Sequence, residues 1–362
     1  MNSFQTSIFR IILFIFLLFT TITSCKDEFS LFETEIELLS DWDEAVAIYA
    51  NINLTGGKNY IRVNRGFLVD NFFVANTNMD SIYFDPSQVE VNLYKLRVYD
   101  LDINGIISAD TLRMYRCRDT LIDKDSTGNF STEKVQLFYT ETKGFKVNNA
   151  EDLYVGIEVV TPNNVVKSHT KIVETSRFIK PNQFGLPFEF ENTTFDLQIY
   201  QPKYSQLYKS TATCSYKEII RIDGQIDTII KSFTFFVGVH RESTMIVDDE
   251  ESHLWRDSTS LFHISLEEDI LENGDTVNTI KRLLNDVYFS GYAGNADLAL
   301  VTSISPSGTG FNVEPTNYSN VQNGYGYCSA YARFNSIRFE YSYGTKATVK
   351  ELFGDKYFFG ID

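Results

Sequence analysis

One cysteine stands where its thiol could be modified covalently. Cys25 follows Ile22-Thr23-Ser24 and the uninterrupted apolar run from Ile11 to Phe19, with Arg10 ahead of that run. The run is far shorter than the roughly 20 apolar residues of a membrane span. A basic residue, a short apolar stretch and small residues, in that order, make a cleavable signal peptide. Ser24-Cys25 has the form of a bacterial lipobox, at which signal peptidase II cuts before the cysteine and the thiol carries a diacylglyceryl group. Further N-acylation, of palmitate type, gives several chains, and several chains anchor stably where one binds only marginally. Residues 1–24 are therefore expected to be a signal peptide and 25–40 a lipidated tether. Lys26-Asp27-Glu28, directly behind the anchor, is read as a short acidic export signal.

Other candidate chemistry is thinner. Asp100-Leu101-Asp102-Ile103-Asn104-Gly105 opens like a calcium loop, but position twelve is Thr111 rather than a bidentate Glu. An Asn-Gly hairpin explains the same residues. Asp123-Lys124-Asp125-Ser126-Thr127-Gly128 and Asp248-Asp249-Glu250-Glu251 read as solvated acidic loops. His240, His253 and His263 lie close in sequence, yet their spacing matches no metal or triad pattern, so they are expected at the surface or core edge. There is no GxSxG nucleophile motif and no phosphate-cradling glycine loop. No metal, cofactor or catalytic residue is expected, and the chain is read as a non-enzyme. The remaining cluster is aromatic: Tyr318, Asn320, Asn323, Tyr325 and Tyr327, with Tyr331 behind them and Gly324 and Gly326 between. Flat rings beside amides suit stacking on a sugar or contact with a protein. Equally, the glycines shape a tight loop and the tyrosines edge the core.

The elements that must position these residues are mostly strands. Hydrophobic residues make up 43% of the chain and aromatics 15%, which is enough for a sizeable core. Period-two alternation runs through residues 45–54, 60–65, 89–98, 111–115, 137–139, 152–160 and 165–173. Gly56-Gly57 and Asn104-Gly105 supply hairpin turns. Short strands at these intervals predict an immunoglobulin-like β-sandwich over 41–180. Ile179-Lys180-Pro181 marks a boundary, and a second β-rich domain over 181–362 follows. Its strands are expected at 195–200, 204–216, 218–222, 228–239, 296–304, 336–343 and 357–361, with a tight turn at Asp223-Gly224. Ser265-Leu266-Glu267-Glu268 looks like a capping box. Val277, Ile280, Leu283, Leu284 and Val287 recur at helical spacing, so a short helical insert is expected at 265–287. The three cysteines beside Cys25, namely Cys117, Cys214 and Cys328, are too far apart for a metal pattern and read as buried small apolar residues, with room for at most one disulfide.

Net charge is −16, and there is no basic stripe, which argues against nucleic acid as a partner. Three pieces together resemble an uncharacterised family of Bacteroidota outer-membrane lipoproteins. They are Asn59-Tyr60-Ile61-Arg62-Val63-Asn64-Arg65; Tyr154-Val155-Gly156-Ile157 with Val166-Lys167-Ser168-His169-Thr170 and the later Ile179-Lys180-Pro181; and Asn317-Tyr318-Ser319-Asn320-Val321-Gln322-Asn323-Gly324-Tyr325-Gly326-Tyr327, whose stretch from Ser319 to Gly326 is the most specific. The resemblance covers most of the mature chain and departs from the family at Tyr327-Cys328. It implies no catalytic residues. It implies a companion of TonB-dependent outer-membrane receptors, facing the cell exterior, as the acidic triplet after Cys25 does in that phylum. The expected function is thus a non-enzymatic accessory or binding subunit of an outer-membrane β-barrel. Its expected partners are the membrane, through the lipid, the barrel, and a glycan or peptide ligand. A freestanding glycan- or matrix-binding adhesin is the alternative, and a hydrolase with carboxylates gathered from both domains is a third reading.

Overall fold

In the computed structural model, alternation in the chain becomes two faces on each strand. The structure describes residues 45–66, 82–102, 105–123, 134–142, 145, 149–181, 187–189, 194–242, 252–275, 277–304, 319–336 and 338–361. Cys25, Lys26, Asp27, Glu28 and Tyr318 lie outside these residues, as does the acidic run at 248–251. No helix among the described residues is long and apolar enough to cross a membrane.

The fold is mainly β. Its strands are β1 (Val46–Asn53), β2 (Gly57–Arg65), β3 (Glu90–Asp102), β4 (Gly105–Arg116), β5 (Arg118–Asp123), β6 (Lys134–Thr142), β7 (Leu153–Val160), β8 (Val165–Lys171), β9 (Phe178–Lys180), β10 (Thr194–Tyr200), β11 (Leu207–Ile222), β12 (Gln225–Arg241), β13 (Ser252–Ser258), β14 (Thr279–Gly294), β15 (Val321–Gln322), β16 (Tyr325–Asn335) and β17 (Phe339–Glu340). Three α-helices accompany them among the described residues: α1 (Ser260–Asn273), α2 (Ala296–Ile304) and α3 (Tyr343–Tyr357). A nine-stranded sheet runs β12-β11-β14-β16-β1-β2-β6-β5, with β17 beside β14. A five-stranded sheet runs β15-β8-β7-β3-β4, and a small one β13-β10-β9.

Two apolar cores form. In the first, Ile48, Ile52, Ile61, Val63 and Phe138 from one end of the large sheet meet Leu93, Val155, Ile157 and Val166 of the five-stranded sheet. This is a β-sandwich. In the second, Tyr208, Cys214, Tyr216 and Phe289 from the other end of the large sheet pack with Leu197 of β10 and with Phe262, Leu266, Val349 and Phe353 of α1 and α3. The change of core falls between Val173 and Phe178. Residues Cys328, Ala330 and Ala332 of β16 nevertheless belong to the first core, and the large sheet continues through both. β16 pairs parallel with β1 and antiparallel with β14, so it joins the two halves.

The helical insert at 265–287 is corrected. α1 begins at Ser260, so Ser265 to Glu268 lie inside it, and Phe262, Leu266 and Ile270 form its buried stripe. Residues 279–294 are a strand, not a helix. β14 is a central strand whose neighbours Arg282, Leu283 and Leu284 are all buried, and its pairing with β11 is shifted twice. Those shifts blur the period of two into something that imitates a helix. The reverse error occurs at 296–304, expected as strand and found as α2. Asn295 caps it by accepting from the Leu298 N–H at 3.1 Å, with Asp297 in the first turn. The strand expected at 336–343 is reduced to β17. Ser342 then caps α3, which the sequence reading missed, by accepting from the Thr345 N–H at 3.1 Å. Of the strand expected at 357–361 only a single bridge from Phe359 to Arg282 remains. Cys117, Cys214 and Cys328 are buried free thiols.

Candidate functional site

The aromatic segment is built by two glycines and two amides. Gly326 has φ +99°, and a Cβ there would stand 2.0 Å from the Ile48 carbonyl oxygen. Only glycine lets β16 lie this close to β1. Asn323, at φ 57°, starts the turn into β16. Its Nδ2 donates to the Val165 carbonyl at 3.3 Å, and Asn164 Nδ2 donates to the Asn323 carbonyl at 3.1 Å. The Asn320 side chain imitates a peptide unit. Its Nδ2 donates to the Cys328 carbonyl at 2.8 Å, and its Oδ1 accepts from the Cys328 N–H at 2.9 Å. Ser168 Oγ donates to the Asn320 carbonyl at 2.9 Å. Both asparagines thus hold the segment against β8 and β16.

The tyrosines are presented instead. Parallel register sets Tyr49 of β1 beside Tyr327, with ring centroids 5.7 Å apart and planes 76° apart. Tyr325 is 65% exposed, and Tyr49 and Tyr60 are each 39% exposed. On the next strands Arg62 stands opposite Tyr49, and Tyr60 opposite Tyr139, their rings 6.1 Å apart. Lys58 Nζ lies 5.4 Å over the Tyr139 ring. By strand alternation these side chains share the outer face of the large sheet, across β16, β1, β2 and β6. Farther along, α2 covers that face: Leu298 and Ala299 pack on Leu207 with Tyr292 and Tyr331 alongside. The open part offers aromatic rings, hydroxyls and the cations of Arg62 and Lys58, with Glu141 opposite Lys58, groups suited to stacking and cation–π contact. The sequence reading found Tyr325 and Tyr327 but missed Tyr49, Tyr60 and Tyr139. Their signal was alternation alone, which marks an outward residue without saying what lies next to it.

The histidines are partly brought together. His240 and His253 stack with centroids 3.7 Å apart and planes 18° apart, and Trp255 meets His253 edge-on at 4.4 Å. Glu242 Oε1 lies 2.6 Å from His240 Nε2 and accepts from Gln201 Nε2, also at 2.6 Å. The hydrogen bond from His240 holds the Glu242 carboxyl below its usual range. Burial, with the nearby His240, lowers the proton affinity of His253. His263 sits apart on α1 against Phe262 and Phe353. No group of three or more His, Cys, Asp or Glu among the described residues could hold a metal. Asp100 lies in the β3–β4 hairpin, without flanking helices. Glu90 and Asp119 both border a depression of about 560 Å³, but Glu90 is engaged by Arg116 at 3.4 Å and Asn92 at 3.0 Å.

No protein-family model and no curated protein matches the chain. Among solved structures it is similar, at a TM-score of 0.21 and 10% identity, to the C-terminal globular domain of an oligosaccharyltransferase from Pyrococcus abyssi. That alignment covers 83% of this chain and 50% of the other, so the chain spans half the length of that structure.

Proposed function

We propose that this chain is a non-enzymatic binding subunit, lipid-anchored through Cys25 on the exterior of an outer membrane, that docks on a TonB-dependent β-barrel. The supporting observation is the open row of Tyr325, Tyr327, Tyr49, Tyr60 and Tyr139 with Arg62 and Lys58 among them. Tyrosine and arginine are enriched at protein contacts, where rings bury large areas at small entropic cost. The lipobox and the acidic triplet supply the address, and the family resemblance supplies the class of partner. The first sandwich is read as immunoglobulin-like and the two cores as two domains.

The test is a tagged pull-down of the lipidated protein from gently solubilised outer membranes, beside a Tyr49→Ala/Tyr327→Ala variant. A stoichiometric barrel retained by the parent and lost by the variant is expected. Recovery of the lipoprotein alone, or a deletion strain with unchanged barrel-dependent uptake and barrel abundance, would overturn the reading. Glycan retention abolished by Tyr325→Ala and Tyr327→Ala would then establish the adhesin alternative.

A further inference from the structure

The open face of the five-stranded sheet carries a second feature, independent of barrel docking. Register aligns Tyr94 of β3, Gly156 of β7 and His169 of β8 in one row. Glycine in the middle of such a row leaves a trough between two rings. Leu96 lies over it so closely that a Cβ on Gly156 would meet Leu96 Cδ1 at 2.8 Å. The β3–β4 hairpin is shifted in register between Lys95 and Leu96 and again between Val98 and Leu101. Such bulges bend and twist a strand pair, and Ile106 of this hairpin lines the trough. Gln322 of β15, opposite Lys167, borders the other side. The trough, half open to solvent, has a volume of about 320 Å³, at the small end of the roughly 300–1,000 Å³ usual for small-molecule sites.

Charge selects the ligand class. Glu158 and Lys167 both line the trough and pair at 3.1 Å. Tyr94 OH donates to Glu158 Oε1 at 3.1 Å. In the adjoining row Glu90 pairs with Arg116. Each carboxylate faces a cation, so the trough holds no net charge to recruit an ion. It offers instead an acceptor and a donor side by side, which suits neighbouring hydroxyls, one donating to Glu158 and one accepting from Lys167. Tyr94 and Leu96 supply an apolar surface for the C–H face of a ring. Burial keeps His169 neutral, since desolvation lowers its proton affinity.

We propose that the trough formed by Tyr94, Gly156, His169, Glu158, Lys167 and Gln322 is a binding site for a neutral saccharide. The experiment uses the full lipidated chain in detergent and a panel of neutral hexasaccharides built from glucose, mannose or galactose, with uronic-acid hexamers as anionic controls. Binding is read by titration calorimetry. At least one neutral hexasaccharide is expected to bind. Glu158→Gln and Tyr94→Ala are each expected to weaken it by about tenfold or more, as loss of a charge-assisted hydrogen bond or a stacking ring implies. Tyr49→Ala and Tyr327→Ala, on the other sheet, are expected to leave it unchanged. Lys167, 57% exposed in its side chain, gives the variant that keeps the fold, and Lys167→Met is expected to weaken binding as well. Thermal unfolding of each variant separates lost binding from lost structure. No binding at millimolar sugar, binding of uronic-acid hexamers alone, or affinities in Glu158→Gln and Lys167→Met equal to the parent's would overturn the proposal.

Discussion

Replacing Arg282 with methionine removes the most connected buried charge among the described residues. Arg282 is 1% exposed and Glu218 is 0% exposed. The guanidinium donates through Nε to Glu218 Oε1 at 2.8 Å and through Nη2 to the same oxygen. Its Nη1 donates to the Tyr357 carbonyl at 2.8 Å and its Nη2 to the Asp275 carbonyl at 2.9 Å. One side chain therefore ties β14 to β11, to the end of α3 and to the loop after α1. Methionine fills similar volume but leaves two carbonyls without that donor and Glu218 with Lys231 at 3.0 Å, the Thr279 hydroxyl at 3.2 Å and the Asp275 N–H. Breaking a buried pair from one side costs about 3–5 kcal/mol. With about 320 residues at about 2.1 cal/mol/K each, the unfolding entropy is about 0.7 kcal/mol/K, so Tm should fall by about 4–7 °C. Urea unfolding followed by circular dichroism measures the loss. Glu218→Gln/Arg282→Met should recover part of it, because the uncompensated charge is gone. Burial alone would raise the Glu218 pKa, yet hydrogen bonds from Lys231, Arg282 and the Asp275 N–H outweigh it and hold the group below its ordinary 4.5. A carboxylate depressed in the folded state stabilises above its unfolded pKa and loses that contribution as pH falls, so the gap between parent and variant should narrow below about pH 4.5. A loss under about 1 kcal/mol, or strictly additive single and double variants, would refute the reasoning.

Three further outcomes follow from the same structure. Gly326→Ala should cost well over 2 kcal/mol, since about 1–2 kcal/mol of left-handed backbone strain adds to the clash of a Cβ standing 2.0 Å from the Ile48 carbonyl oxygen; Gly224→Ala, at φ +79° with nothing within 4 Å, should show the strain alone in the same urea assay. Burial lowers the proton affinity of His169, His253 and His263, so the unfolded chain takes up protons first and Tm should decline as pH drops below about 6.5. His263→Leu should flatten that decline, and an unchanged slope would count against it. Burial pushes the Cys117 thiol up to about 12 and raises Cys214 and Cys328 as well, so iodoacetamide should label none of the three in the native protein and all three in urea, read by mass spectrometry.

The legible parts of the fold are those whose signal is local. Gly56-Gly57 and Asp223-Gly224 each lie where a hairpin turns, because positive φ at two successive residues is a property of the residues themselves, while Asn104 lies outside the described residues. β14 reads as helix because Arg282, Leu283 and Leu284 are buried in succession and its pairing with β11 is shifted twice, which breaks the period of two. α2 and α3 were missed because their signals, Asn295 and Ser342 as caps, are single residues that also start turns. The candidate site divides in the same way. Tyr325 and Tyr327 stand out as a local cluster, whereas Tyr49 and Tyr139 reach them only through pairings that no short window contains. The stacking of His240 on His253 is invisible for that reason too.

The parallel pairing of β1 with β16 decides how the two cores depend on each other. A fragment of residues 41–180 holds every strand of the first sandwich except β16 and the two-residue β15. Without β16, the β1 backbone from Ala47 to Asn53 loses its parallel neighbour and keeps only β2 on its other edge, and the core loses Cys328, Ala330 and Ala332, each no more than 2% exposed. An uncovered central strand is an invitation to aggregate. The fragment should therefore unfold without a cooperative transition, and a peptide spanning 319–336 added in trans should restore one. If 41–180 alone unfolds cooperatively at the temperature of the full chain, the first domain is complete without the returning strand. In that case the tyrosine face, to which β16 brings Tyr325 and Tyr327, is an addition to a finished sandwich rather than part of its construction.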